Sequence, residues 1–291
     1  MSDNTDDKTN EHGFSTTGHS WDGIEEWNNP LPRWWLWCFY ATILWGVIYT
    51  IAYPAWPLVE RATGGVLGFS TRAQVQEDID AVNAANAALN SQLESVELVA
   101  LVDNDELRGY AVNMGAAVFR ANCSQCHGSG AAGVQAAGYP NLLDDDWLWG
   151  GTVEDIAYTI RHGIRNEQDL DAHWSQMPAF GDLLTEAEIS QVVNHVLSIA
   201  GQDHDAMLAG AGEQIFIEQC SACHMEDGTG DEFQGAPNLT DAIWLYGGDA
   251  ETLTETVTYS RFGIMPAWGM RLSEAEVRAA AAYVHQLGGG E

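Results

Sequence analysis

Lysine is almost missing from this chain. Lys8 is the only one, and with the arginines it makes 11 basic side chains against 42 acidic ones, a formal net charge of −31. A surface so short of positive charge repels phosphate backbones and anionic head groups, which excludes nucleic acid as a partner. The same imbalance can steer a basic protein toward the surface or serve solubility in a saline habitat, and composition alone is compatible with both. Cysteine is scarce too. There are five, of which Cys38 lies in an apolar run and the other four sit in two short motifs, so none remains for a disulfide framework. Charge is absent altogether across the 26 residues from Trp34 to Val59.

That stretch, WWLWCFYATILWGVIYTIAYPAWPLV, exceeds the roughly 20 apolar residues a helix needs to cross a hydrocarbon core. Trp34, Trp35 and Trp37 crowd one end and Tyr53 and Trp56 the other, as aromatics do at membrane interfaces. Pro54 and Pro57 predict a stop or kink nearby. The competing reading, a cleaved signal peptide, conflicts with the long acidic arm before the run and with the length of the run itself. The expected layout is therefore a polar arm at residues 1–32 without stable structure and a retained transmembrane helix at residues 33–59. A linker follows at residues 60–109. In that linker Val75, Ile79, Val82, Leu89, Leu93 and Val96 form a narrow helical seam, with Asn86 at its one polar position. The seam predicts an amphipathic helix, lying either on the chain's own domains or against another molecule.

Beyond the linker the sequence repeats itself, at residues 110–200 and 207–291. Gly115 and Phe119 precede Cys123 by the same steps as Gly212 and Phe216 precede Cys220. Pro140-Asn141-Leu142 matches Pro237-Asn238-Leu239, and Trp147-Leu148-Trp149-Gly150-Gly151 matches Trp244-Leu245-Tyr246-Gly247-Gly248. Met177-Pro178-Ala179-Phe180-Gly181 matches Met265-Pro266-Ala267-Trp268-Gly269, although the first repeat carries an insertion around 166–176. Thr185 with Glu188, and Ser273 with Glu276, are hydroxyl–glutamate pairs that open a closing helix in each copy. Each repeat is expected to be a small helical unit whose closing helix crosses its own opening helix at Gly115 or Gly212.

The chemistry lies in Cys123-Ser-Gln-Cys126-His127 and Cys220-Ser-Ala-Cys223-His224. Two thiols separated by two residues reach the two vinyl groups on one edge of a porphyrin, and the next histidine can ligate the iron. Structural zinc would gather its thiolates into one tetrahedron and has no use for a histidine fixed after both pairs. The pattern implies two covalent haems c. Met177 and Met265 open the same five-residue motif in both repeats, so a thioether from each fills the second axial position. His162 and His173 are rival ligands without counterparts in the second repeat, while His195 aligns with Tyr283 and reads as packing. Met114, Met207, Met225 and Met270 read as ordinary filler. Arg161 and Arg261 each open an Arg-x-Gly-Ile stretch and are candidates to pair with haem propionates. Because haem c is attached outside the cytoplasmic membrane, the residues beyond 60 are expected to be periplasmic and the N terminus cytoplasmic.

With these residues in hand, the chain resembles the membrane-anchored dihaem cytochrome c subunit of cbb3-type cytochrome c oxidases. The specific part of the likeness is Asp22-Gly-Ile-Glu-Glu-Trp-Asn-Asn-Pro-Leu-Pro-Arg-Trp-Trp35, since CxxCH belongs to every c-type cytochrome. The resemblance implies a mainly α protein: one N-terminal transmembrane helix, then two tandem class I cytochrome c domains. It implies that Cys123, Cys126 and His127, with Cys220, Cys223 and His224, hold the haems, and that Met177 and Met265 are the distal ligands. It further implies a relay of electrons from soluble cytochrome c-like donors, through a monohaem cytochrome subunit, toward a haem–copper catalytic subunit that reduces oxygen. This chain alone would reduce no oxygen. Some members exchange methionines between modules, so the pairing of methionine with haem stays open. Two other readings remain at this stage: a free-standing anchored dihaem carrier, and a dihaem peroxidase, which would need an open iron that paired methionines deny it.

Overall fold

The computed structural model describes residues 13–290 and is mainly helical. Contacts divide the chain into a first unit of residues 1–84 and a second of residues 85–291. The start of the acidic arm, residues 1–12, lies outside the described residues. The remainder of the arm departs from the expectation of no stable structure, because β1 (Thr16–Trp21) and β2 (Ile24–Trp27) pair antiparallel. Trp21 faces Ile24 across a two-residue turn in which Asp22 and Gly23 have φ of 54° and 85°. Positive φ at both central positions is what a tight hairpin turn demands, and Asp-Gly meets that demand at little cost.

Helix α1 (Arg33–Ala52) follows, with mean hydropathy 1.5 and no buried side chain. Its 20 residues rise about 30 Å, the thickness of a hydrocarbon core. Thr42 and Thr50 turn their hydroxyls back onto the carbonyls of Phe39 and Val47, which satisfies them in an apolar setting. The helix stops at Ala52, short of the end of the apolar run, because Tyr53 precedes Pro54 and takes extended geometry (φ −113°, ψ 161°). The chain then doubles back, and the Val66 and Leu67 amides bond the orphan carbonyls of Ile51 and Ala52.

Helix α2 (Thr71–Ser95) realises the linker seam, with different fates along its length. Val75, Ile79 and Val82 are exposed, whereas Leu93 is fully buried and Leu89 and Val96 pack against the core of the second unit. The second unit continues with α3 (Asp105–Val118), a π-turn at Phe119–Cys123 and the short α4 (Ser124–His127). Then come α5 (Val153–His162) and α6 (Glu186–Ile199). The second repeat supplies α7 (Ala206–Gln219), the short α8 (Ser221–His224), α9 (Ala250–Tyr259) and α10 (Glu274–His285). Both expected capping boxes form, at Thr185 with Glu188 and at Ser273 with Glu276.

The helices pack across the repeats, which corrects the expectation that each repeat closes on itself. One core joins α3, α5 and α10 around Phe119, Ile156, Ile160 and Val277. The other joins α6, α7 and α9 around Val192, Val193, Phe216 and Leu253. Phe119 and Phe216 are each 1% exposed, and burial of such a ring contributes about 2–3 kcal/mol. Gly115 meets α10 so closely that a Cβ would lie 2.0 Å from the Ala279 carbonyl oxygen, and a Cβ on Gly212 would lie 2.1 Å from that of Gln191 on α6. The glycines do make close helix crossings, but with the closing helix of the other repeat. The cause is the short connection between Ile199 and Ala206. Gly201 turns there at φ 67°, and the Asn194 side chain accepts from the Asp205 amide at 2.8 Å. So brief a loop makes consecutive helices antiparallel neighbours, so α7 takes α6 and leaves α10 to α3.

Candidate haem-attachment sites

Each Cys-x-x-Cys-His lies where an opening helix breaks its line. Cys123 and Cys220 sit at the joints, with φ of −102° and −115°, and α4 and α8 carry the rest of the motif. All four thiols are free and half-buried. Burial, with a smaller contribution from the neighbouring thiol, pushes Cys123 and Cys220 up to about 11, so they rest as uncharged thiols. His127 Nδ1 is 3.2 Å from the carbonyl oxygen of Pro140, and His224 Nδ1 is 3.1 Å from that of Pro237. A carbonyl can only accept, so Nδ1 carries the proton and Nε2 keeps its lone pair for a metal. Burial lowers both histidine pKa values, partly opposed by those proline bonds, and keeps the rings neutral. The chemistry of the donor set, paired thiols with an oriented neutral imidazole, therefore fits haem c in both places. The two prolines were visible in the sequence only as part of a repeat. The clue to their role was the equal spacing from each histidine.

The two methionine segments are held differently. The Met265 amide and carbonyl both bond Ile164, at 3.0 Å each, and the side chain packs on the same core as Cys123. The Met177 carbonyl accepts from the Ser260 hydroxyl at the end of α9, and Gly181 lies against Thr258 of the same helix. Met265 thus shares a core with Cys123, and the Met177 segment lies against α9 of the Cys220 core. Met207, Met225 and Met270 are exposed, and Met114 packs in the first core.

The rival residues are engaged elsewhere. His162 Nδ1 is 3.1 Å from Asp169, and His173 stacks on Trp149 with ring centroids 4.3 Å apart while its Nε2 meets the Thr159 hydroxyl at 3.1 Å. His195 packs on Phe216 and Tyr283 on Phe119, each again across the repeats. Arg161 is paired with Glu274 through two bonds of 3.2 and 2.5 Å and ties α5 to α10. Arg261 bonds the Thr252 carbonyl at 3.0 Å and lies 4.7 Å over the Tyr246 ring. Both guanidiniums bond within the protein and brace the helices they join.

The repeats meet reciprocally. A Cβ on Gly138 would lie 2.2 Å from the Tyr246 ring, and one on Gly235 would lie 2.3 Å from the Trp149 ring, so aligned aromatics cover aligned glycines. Gln135 donates to the Trp244 carbonyl at 2.8 Å. A cleft of about 320 Å³ opens here between Pro140 and Leu148 on one side and Ile243 and Trp244 on the other. Asp146 lines it, and burial followed by the charges of Asp241, Asp144, Asp145 and Glu232 pushes its carboxyl up to about 6.

Comparison with known proteins covers nearly the whole chain. Residues 13–60 match the family described as the N-terminal domain of cytochrome oxidase-cbb3, FixP. Residues 111–196 and 208–284 each match cytochrome c oxidase, cbb3-type, subunit III. The chain is 62% identical to the cbb3-type cytochrome c oxidase subunit CcoP of Cereibacter sphaeroides, over 95% of each protein. It is 53% identical to CcoP of Rhodobacter capsulatus, over 97% of this chain and 98% of that protein. It is 51% identical to FixP of Azorhizobium caulinodans, over 96% and 94%.

Proposed function

Because this chain belongs to the CcoP/FixP family, the electron-transfer subunit III of cbb3-type cytochrome c oxidases, we propose that it holds two covalent haems c with histidine–methionine ligation and an exchanged set of methionines. Cys123 and Cys126 attach one group and Cys220 and Cys223 the other. His127 and Met265 are the axial ligands of the first, and His224 and Met177 those of the second. The observation that carries this reading is the doubled motif in which a proline carbonyl orients each histidine, at 3.2 and 3.1 Å. Bound haem supplies a one-electron iron couple, and a thioether ligand raises its potential relative to a second histidine. The protein's part is to keep His127 and His224 neutral and aimed, to present the two thioethers on proline-stiffened loops, and to close both axial positions to oxygen.

The exchange has a consequence for electron flow. With each module built from both repeats, and Trp149 and Tyr246 locked over Gly235 and Gly138, the two sites keep a fixed separation. Electrons from a soluble cytochrome c-like donor then pass through this chain toward the haem–copper subunit, alongside the monohaem subunit. Helix α1 serves as the anchor, with the N terminus in the cytoplasm and the haem modules in the periplasm. The test of the cofactor reading is mass and haem staining of the denatured chain. Two haem masses that survive denaturation are expected, and bound zinc without haem would refute it. Copurification with haem b and copper tests the partnership, and isolation as a lone dihaem carrier would refute that part.

A further inference from the structure

Arg165 stands just before the insertion that distinguishes the first repeat. After the shared Arg-x-Gly-Ile stretch the second repeat places Met265 at once, whereas the first repeat places Arg165 and delays its methionine to Met177. Arg165 holds φ at 51°, a left-handed conformation that a side chain of this size rarely adopts. Such strain persists where surrounding bonds over-determine it, and here they do. Its amide donates to the His173 carbonyl at 2.8 Å, and its neighbour Ile164 forms the two-way bridge to Met265. Its guanidinium is half-buried and bonds two carbonyls: Nε donates to Ser175 at 2.5 Å and Nη1 to Gly263 at 2.9 Å. The Phe262 ring centroid lies 5.7 Å from it.

Ser175 lies two residues before Met177, and Gly263 lies two residues before Met265. We infer that Arg165 is a positioning residue shared by both haem sites: one planar guanidinium fixes the backbone just upstream of both distal methionines and couples the two loops. This rests on the proposed ligation by Met177 and Met265 and goes beyond it, because that ligation requires no common support. The fork geometry matters. Arginine presents donors at fixed angles that suit two separate carbonyls, whereas lysine offers a single point charge on a flexible stem.

The test uses full-length protein loaded with both haems. In the ferric wild type, the near-infrared sulfur-to-iron charge-transfer band reports methionine ligation, and its absence would refute the ligand assignment itself, separately from this inference. With the band present, Arg165→Gln is expected to reduce it below half of the wild-type intensity and to raise cyanide affinity at both haems, at unchanged haem content. Arg165→Lys is expected to recover one site at most. A band and cyanide affinity unchanged in Arg165→Gln, or altered at one haem alone, would overturn the inference. Should Arg165→Gln fail to accumulate, hydrogen exchange in the wild type decides. The amides of Ile164, Arg165, His173 and Met265 are expected to lose protection together when cyanide displaces either methionine, and independent exchange would overturn the shared clamp.

Discussion

The two cores of the second unit follow one recipe and differ in thickness. In the first, α5 buries Val153, Ile156, Ala157 and Ile160, and the linker adds Leu93, Leu98 and Leu101 from outside the repeats. In the second, α9 buries only Leu253, its threonines turn their hydroxyls onto their own helix, and the core draws only on residues 184–257. Arg278 of α10 strengthens the first core further. It donates to the Leu93 carbonyl at 2.7 Å and to that of Val96, and it lies 3.6 Å from Glu274. The exchange of closing helices explains why one linker stabilises what the sequence places at both ends of the second unit. The end of α2 rests on a core completed by the C-terminal helix α10.

The largest expected effect breaks the comparison at its crossings. Gly115→Ala forces a methyl into the Ala279 carbonyl and should cost about 3 kcal/mol in the first core. The ligation it weakens should be that of Met265, in the other repeat. Gly212→Ala should do the same through Gln191 to Met177. Urea titration followed at the near-infrared band checks both, and damage confined to the repeat that carries the substitution would contradict the exchange.

A smaller effect sharpens the difference between the cores. Arg278→Ala removes the charged donor from the linker carbonyls of Leu93 and Val96 and should destabilise the first core by about 2 kcal/mol, leaving the second unchanged. Hydrogen exchange resolved by helix reports this as faster exchange in α3 and α10 but not in α6 and α7. Equal loss in both would mean that the linker supports the unit as a whole.

The smallest effect belongs to the cleft between the repeats. The Asp146 carboxyl is held near 6 in the folded protein against about 4 when unfolded, so the folded state binds that proton more tightly. Its contribution is fully present below about pH 4 and is lost as pH rises toward 6, where the ionised group meets Asp241 and Asp144. Asp146→Asn should therefore stabilise the protein at pH 7 by about 1 kcal/mol, after allowance for solvent screening, and change little at pH 4. Denaturation at the two pH values checks it, and a gain confined to pH 4 would reverse the sign.

Much of this was legible before any coordinates. The anchor, the two haem motifs, both capping boxes and the aligned methionines follow from residue type and spacing. The repeat alignment could not reveal which closing helix crosses which opening helix, because Phe119 and Phe216, or Tyr283 and His195, present equivalent faces. The brief join from Ala200 to Asp205 was the readable signal, since a loop that short favours neighbouring antiparallel helices. The hairpin at Asp22-Gly23 was missed because the arm's charge outweighed a two-residue turn signal. The role of Arg165 could not be read, because its carbonyl partners lie 10 and 98 residues away and leave no pattern in side chains.

The exchanged pairing of methionine and haem can be tested without altering the protein. In the reduced protein with methionine methyls labelled, each ligating methyl is shifted far upfield by the porphyrin ring current. Nuclear Overhauser contacts should join the Met265 methyl to the haem attached at Cys123 and Cys126, and the Met177 methyl to the haem at Cys220 and Cys223. Contacts joining Met177 to the Cys123 haem and Met265 to the Cys220 haem would contradict the exchange.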